Sequence, residues 1–120
     1  MQYMLLIYGA PEAEPQYGSP AFDRMMAGYA AFSQRLVDDG AMRGGEALQA
    51  IETATSVRVR GGKVETMDGP FATTKEHLGG FYIIDVPDLD AALRYAAMIP
   101  SAAYGTVEVR PVMVYNLAAN

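Results

Sequence analysis

The chain has 120 residues, 51% of them hydrophobic and 19% charged, proportions of a folded globular protein and not of a disordered one. A net charge of −5, with the lysines and arginines scattered and never in a run, offers no basic surface for nucleic acid; the absence of cysteine excludes disulfides, thiolate nucleophiles and Cys-based zinc sites. The length suits one domain, 1–120. The opening Met1-Gln2-Tyr3 has no basic leader pattern, and the apolar run Tyr3–Tyr8 is too short to span a membrane, so a cytoplasmic protein without a membrane partner is expected.

Residues 2–8 read as a strand that ends at Gly9-Ala10-Pro11. Ser19-Pro20 has the form of an N-cap followed by proline at the first helical position. Phe22, Met25, Met26, Tyr29, Phe32 and Leu36 then recur at helical spacing, and Gly40 closes that helix. The stretch 41–51 is ambiguous, with extended chain expected around Gly44-Gly45-Glu46. Thr55–Arg60 and Lys63–Met67 alternate as two strands about Gly61-Gly62, a two-residue hairpin signal.

Gly80–Val86 is the next strand. Pro87-Asp88 opens a second helix, with Leu89, Ala92, Leu93 and Ala96 on the expected inner face and Pro100 as its stop. A last strand is expected over Val107–Tyr115, broken by Pro111 in the manner of an edge or bulge. This order suits an α+β sandwich of the ferredoxin-like kind, with both helices on one sheet face. Met4–Tyr8, Phe81–Ile84 and Val112–Tyr115 are apolar on both faces, however, where a half-solvated sheet alternates. A second copy packed sheet to sheet would cover the remaining face, so a homodimer is expected.

Between the hairpin and the following strand lies Met67-Asp68-Gly69-Pro70-Phe71-Ala72-Thr73-Thr74-Lys75-Glu76-His77-Leu78-Gly79-Gly80, dense in turn-forming, aromatic and charged residues. Loops of this composition on a rigid scaffold commonly carry binding and chemistry. It resembles the signature of the DGPF-domain proteins, a branch of the YCII-related family. The resemblance extends to Tyr3–Tyr8, Gly44-Gly45-Glu46-Ala47-Leu48, Gly79–Asp88 and Val107–Pro111. It implies a dimeric α+β barrel. Some members of the family lie near, or are fused to, extracytoplasmic-function sigma factors, so a sigma-factor association is a partner the resemblance implies. Thr73 departs from the family pattern, which usually has Glu at that place.

Asp68 either caps the turn through its own side chain or is a buried carboxylate able to move a proton on a bound substrate. Glu46, after two glycines, is either a solvated loop residue or a second carboxylate that divides acid and base roles with Asp68. Arg110 and Lys75 are candidates to hold an anionic substrate, Arg110 by a bidentate fork and Lys75 as a point charge; ion pairs with Asp85, Glu108 or Glu76 are the plainer alternative. Phe71 is expected to plug the core or a pocket wall, while Tyr8 and Tyr82 bring hydroxyls to a pocket or to backbone partners.

His77 is the lone histidine. Related barrels include haem proteins with a proximal histidine, but a loop histidine beside Glu76, with no second ligand at a useful spacing, is expected to bind neither haem nor metal. The reading that results is a cofactor-free enzyme performing acid–base chemistry on a small molecule, with Asp68 and Glu46 as catalytic residues and Arg110, Lys75, Phe71, Tyr8 and Tyr82 around the substrate. The alternative is a non-catalytic ligand-binding or regulatory module.

Overall fold

The computed structural model describes residues 1–115; residues 116–120 of the expected domain lie outside them. Eight regular elements follow one another as β1 (Gln2–Gly9), α1 (Pro20–Asp38), β2 (Met42–Ala47), β3 (Thr55–Arg60), β4 (Lys63–Asp68), β5 (His77–Asp85), α2 (Leu89–Met98) and β6 (Thr106–Pro111). They form a mixed α+β fold with two antiparallel sheets, a four-stranded one ordered β2-β5-β1-β6 and the two-stranded β3-β4 hairpin.

Local chemistry sets the element boundaries. The Ser19 hydroxyl accepts the Phe22 N–H at 3.1 Å, with Pro20 in the first turn, so α1 starts where its orphan donors find an acceptor. At the other end, the Ala41 N–H reaches the Leu36 carbonyl (2.9 Å) and the Gly40 N–H reaches Val37 (3.0 Å), closing the last turn. The Asp88 carboxylate caps α2 through the Ala91 N–H at 2.9 Å. Gly61 and Gly62, with φ of 57° and 76°, both take the left-handed conformation that a tight hairpin turn demands.

Register decides which side chains meet. Tyr3, Leu5 and Ile7 of β1 lie opposite Ile84, Tyr82 and Gly80 of β5 and share the face beneath the helices. The core there comprises Tyr3, Leu5, Ile7, Phe32, Leu36, Ala41, Ile84, Val86, Ala91, Ala92, Ala96 and Ile99. Met4, Leu6, Phe81 and Ile83 alternate onto the other face, outside that core, where Glu108 and Arg110 of β6 join them. Among the described residues no helix lies over this second face.

Three expectations are corrected. Leu89 and Leu93 are each 47% exposed; α2 instead turns Ala91, Ala92 and Ala96 inward, because small side chains let the helix approach the sheet closely. The final strand stops at Pro111, and Met113, Val114 and Tyr115 are exposed and outside any strand: the Val112 N–H still reaches the Gln2 carbonyl at 2.9 Å, but β1 begins at Gln2 and offers no partner beyond it. β5 begins at His77, three residues before the expected Gly80, so the histidine lies in a strand and not in a loop.

The β3–β4 hairpin stands apart from this body. All its strand residues except Ser56 are exposed, including Val57, Val59, Val64 and Met67. The radius of gyration, 16.8 Å, exceeds the roughly 13–14 Å typical of a compact chain of this length. Among the described residues no helix is long and apolar enough to cross a membrane.

Candidate functional site

Between α1 and the β2–β5 half of the sheet lies a cavity of about 870 Å³. Its origin is a run of small residues on the helix-facing side of two paired strands. Gly45 lies opposite Tyr82, and Ala47 lies opposite Gly80, so the floor carries little side-chain volume where a helix would otherwise pack. Met25, Met26, Tyr29 and Ser33 of α1 form the roof, and residues 48–52 close one side. Wide, largely apolar concavities with a few polar groups are the usual form of small-molecule sites.

The polar groups inside are held in pairs. The Tyr29 hydroxyl donates to Ser101 Oγ at 2.6 Å, and the Ser33 and Tyr82 hydroxyls are 2.9 Å apart. Phe32 meets the Tyr82 ring edge-on, with centroids 5.1 Å apart, which fixes the ring that carries this hydroxyl. Burial pushes the Tyr29 phenol above its ordinary range; the hydrogen bond with Ser101 opposes this, and the charges of Tyr82 and Glu14 reinforce it. Tyr29 therefore stays protonated and serves as a donor. Glu14, Glu52 and His77 complete the titratable lining.

Of the sequence-derived candidates the structure brings Tyr82 into this cavity; Glu46 borders it along β2 but lies opposite Phe81, with its exposed side chain on the open sheet face. His77 joins Tyr82 as the first residue of β5, half-buried at the wall. The other candidates lie elsewhere. Asp68 is exposed at the end of β4, opposite Thr55, and the turn after it is held by the Gly69 N–H to the Ala54 carbonyl at 2.7 Å and by Ser56 Oγ to the Gly69 carbonyl at 2.8 Å. The turn thus gets its hydrogen bonds from β3, and the expected burial of Asp68 does not occur in the protomer.

Phe71, expected as a plug, is 73% exposed, and Lys75 is exposed beside it in sequence. Arg110 and Tyr8 belong to the open face of the sheet, where Arg110 lies opposite Met4 and Tyr8 opposite Leu78. Arg110 forms no ion pair with Asp85 or Glu108; Asp85 is taken by the N-terminal ammonium at 2.9 Å and by Arg43 at 3.5 Å. Among the described residues no group of three or more His, Asp or Glu side chains is placed to hold a metal ion.

Sequence reasoning missed Tyr29, Ser33, Ser101 and Glu14 as site residues. One signal was available for Ser33. It sits four residues after Tyr29, a hydroxyl beside an otherwise apolar helical stripe, and such a residue facing inward needs a partner. Nothing local marks Ser101, which arrives from 72 residues away through the 3₁₀ turn Pro100–Ala103.

Comparison with known proteins gives a consistent result. The YCII-related domain family matches residues 1–116. An uncharacterised protein of Rhizobium meliloti (strain 1021) is 34% identical over 118 residues, covering 97% of this chain and 95% of that protein. The chain therefore belongs to the YCII-related family.

Proposed function

We propose that the protein binds a small organic molecule in the cavity between α1 and the β2–β5 strands and performs cofactor-free acid–base chemistry on it. The observation that carries this reading is the convergence of Glu14, His77 and the Ser33–Tyr82 hydroxyl pair on one apolar space of about 870 Å³. A carboxylate that can exchange a proton, an imidazole and a fixed hydroxyl are the parts such chemistry needs. Glu14, half-buried over Gly9, is the carboxylate placed at this space, whereas Glu46 lies opposite Phe81 and turns its side chain to the open sheet face. A direct test replaces Ala47, on the cavity floor, by Trp. A compound found by screening should lose its binding in Ala47→Trp while the fold is retained, and Glu14→Gln should bind it but turn it over at least a hundredfold more slowly. Unaltered binding in the filled variant would overturn the proposal; binding without turnover in the parent would reduce it to a ligand-binding module.

The second part of the proposal is a cytoplasmic homodimer of one-domain chains, in which two ferredoxin-like sandwiches of the DGPF branch pair as an α+β barrel. The strand order β2-β5-β1-β6, with α1 between β1 and β2 and α2 between β5 and β6, supports the sandwich; the β3–β4 hairpin is an insertion between its halves. Asp68-Gly69-Pro70-Phe71 supports the branch. The open apolar face and the exposed hairpin support pairing, since a two-stranded hairpin presenting Val57, Val59 and Val64 to water is marginal by itself. In this arrangement Asp68, Lys75, Phe71 and Arg110 reach a bound molecule through the second protomer, on the arm or at the joined sheet faces.

A further inference from the structure

The charge of the cavity is one-sided. Glu14 and Glu52 line it, and no lysine or arginine does. Among the described residues none of these carboxylates takes part in an ion pair. The nearest basic side chain in sequence, Arg43 of β2, is committed elsewhere: it donates to the Gly40 and Met42 carbonyls at 2.9 Å each and pairs with Asp85. Glu14 is not a solvated loop acid. It is half-buried and folds over Gly9, with its carboxylate occupying the space that a side chain at position 9 would need. Its charge reaches Tyr29 on the far wall of the cavity.

Resting on the reading of this cavity as a small-molecule site, we infer that its ligand is an organic cation: an apolar or aromatic body carrying a protonated amine or guanidinium. The apolar walls, Met25, Met26 and Met42 among them, suit the body, and polarisable thioethers tolerate a range of shapes. The carboxylates supply the counter-charge that such a head group requires when it leaves water, whereas an anion would meet repulsion without a compensating cation. This departs from the anionic substrate that Lys75 and Arg110 suggest from the sequence.

The test uses the full chain and one scaffold with three head groups: 4-phenylbutylamine, 4-phenylbutan-1-ol and 4-phenylbutanoate. Binding is followed through the methyl resonances of Met25 and Met42 in methionine-labelled protein. The amine should bind about tenfold or more tighter than the alcohol, with the carboxylate weakest, and the preference should shrink as salt is raised. The double variant Glu14→Gln, Glu52→Gln should bring the amine to the affinity of the alcohol and leave the alcohol unchanged. Equal binding of all three probes, tighter binding of the carboxylate, or an amine preference that survives the double variant would overturn the inference while leaving a small-molecule site in place. No methyl shift with any of the three at millimolar concentration would overturn both.

Discussion

Ile83 and Ile84 are neighbours in β5 with opposite fates, which makes them a matched test of what covers the open sheet face. Ile84 is fully buried beneath the helices, whereas Ile83 lies opposite Met4 of β1 and Gly44 of β2 on the uncovered side. In the protomer an aspartate at position 83 keeps contact with water, so its cost to folding should be on the order of 1 kcal/mol. In a dimer joined through that face the same charge is buried without a partner, at about 3 kcal/mol or more per copy. Two-fold symmetry doubles this to about 6 kcal/mol per dimer, a loss of roughly four orders of magnitude in affinity.

Ile83→Asp should therefore be a soluble, folded monomer by sedimentation equilibrium at tens of micromolar, with an unchanged far-ultraviolet circular dichroism spectrum, where the parent should be a dimer. Ile84→Asp, and Leu5→Asp for the same reason, should not fold, because Leu5 is also completely enclosed. Leu5 is consequently no probe of association, although the two-sided apolar pattern of β1 alone would make it look like one. A monomeric parent, or an Ile83→Asp protein that dimerises as tightly as the parent, would refute the reasoning.

Two further outcomes are expected. Asp39 accepts from the Tyr95 hydroxyl at 2.5 Å and from Arg35 Nε at 2.8 Å, and these bonds hold its carboxyl below the usual range. Its contribution to stability is thus present above the unfolded pKa and lost as pH falls through the lower folded value. Tyr95→Phe should move the carbon-13 titration of Asp39 upward and shift the acid limb of thermal unfolding to higher pH; an unmoved titration would show that the bond is not made in solution. Asp68→Asn, with the turn held by Gly69 and Ser56 and not by the Asp68 side chain, should leave the melting temperature within about a degree of the parent. Once a substrate is in hand, turnover reduced a hundredfold or more would support a role for Asp68 as proton carrier, and unchanged turnover would end it.

Much of the architecture was legible because it is written in short-range chemistry. Ser19-Pro20 and Asp88 start helices, Gly61-Gly62 turns a hairpin, and continuous apolar runs make β1 and β5; each signal involves residues within a few positions of one another. Ala92 and Ala96 face inward as expected, but the exposure of Leu89 and Leu93 was not legible, since all four share helical spacing and the choice among them depends on how near the sheet stands. The same limit applies to the site. A sequence shows that the segment 67–80 is rich in special residues, but in the protomer only its end, from His77 onward, reaches the cavity, while Asp68 leaves on the hairpin.

What the sequence determined by itself is the order of elements and the surplus of apolar surface on the strands. Tertiary structure alone decided that Gly45, Ala47 and Gly80 would share one face under α1 and leave a cavity there. It also decided that Glu14 and Glu52 would line that cavity with no ion pair among the described residues. The physical reason is that a cavity is missing volume summed over segments distant in the chain, and charge balance is a sum over neighbours in space; neither is carried by any local pattern of residues.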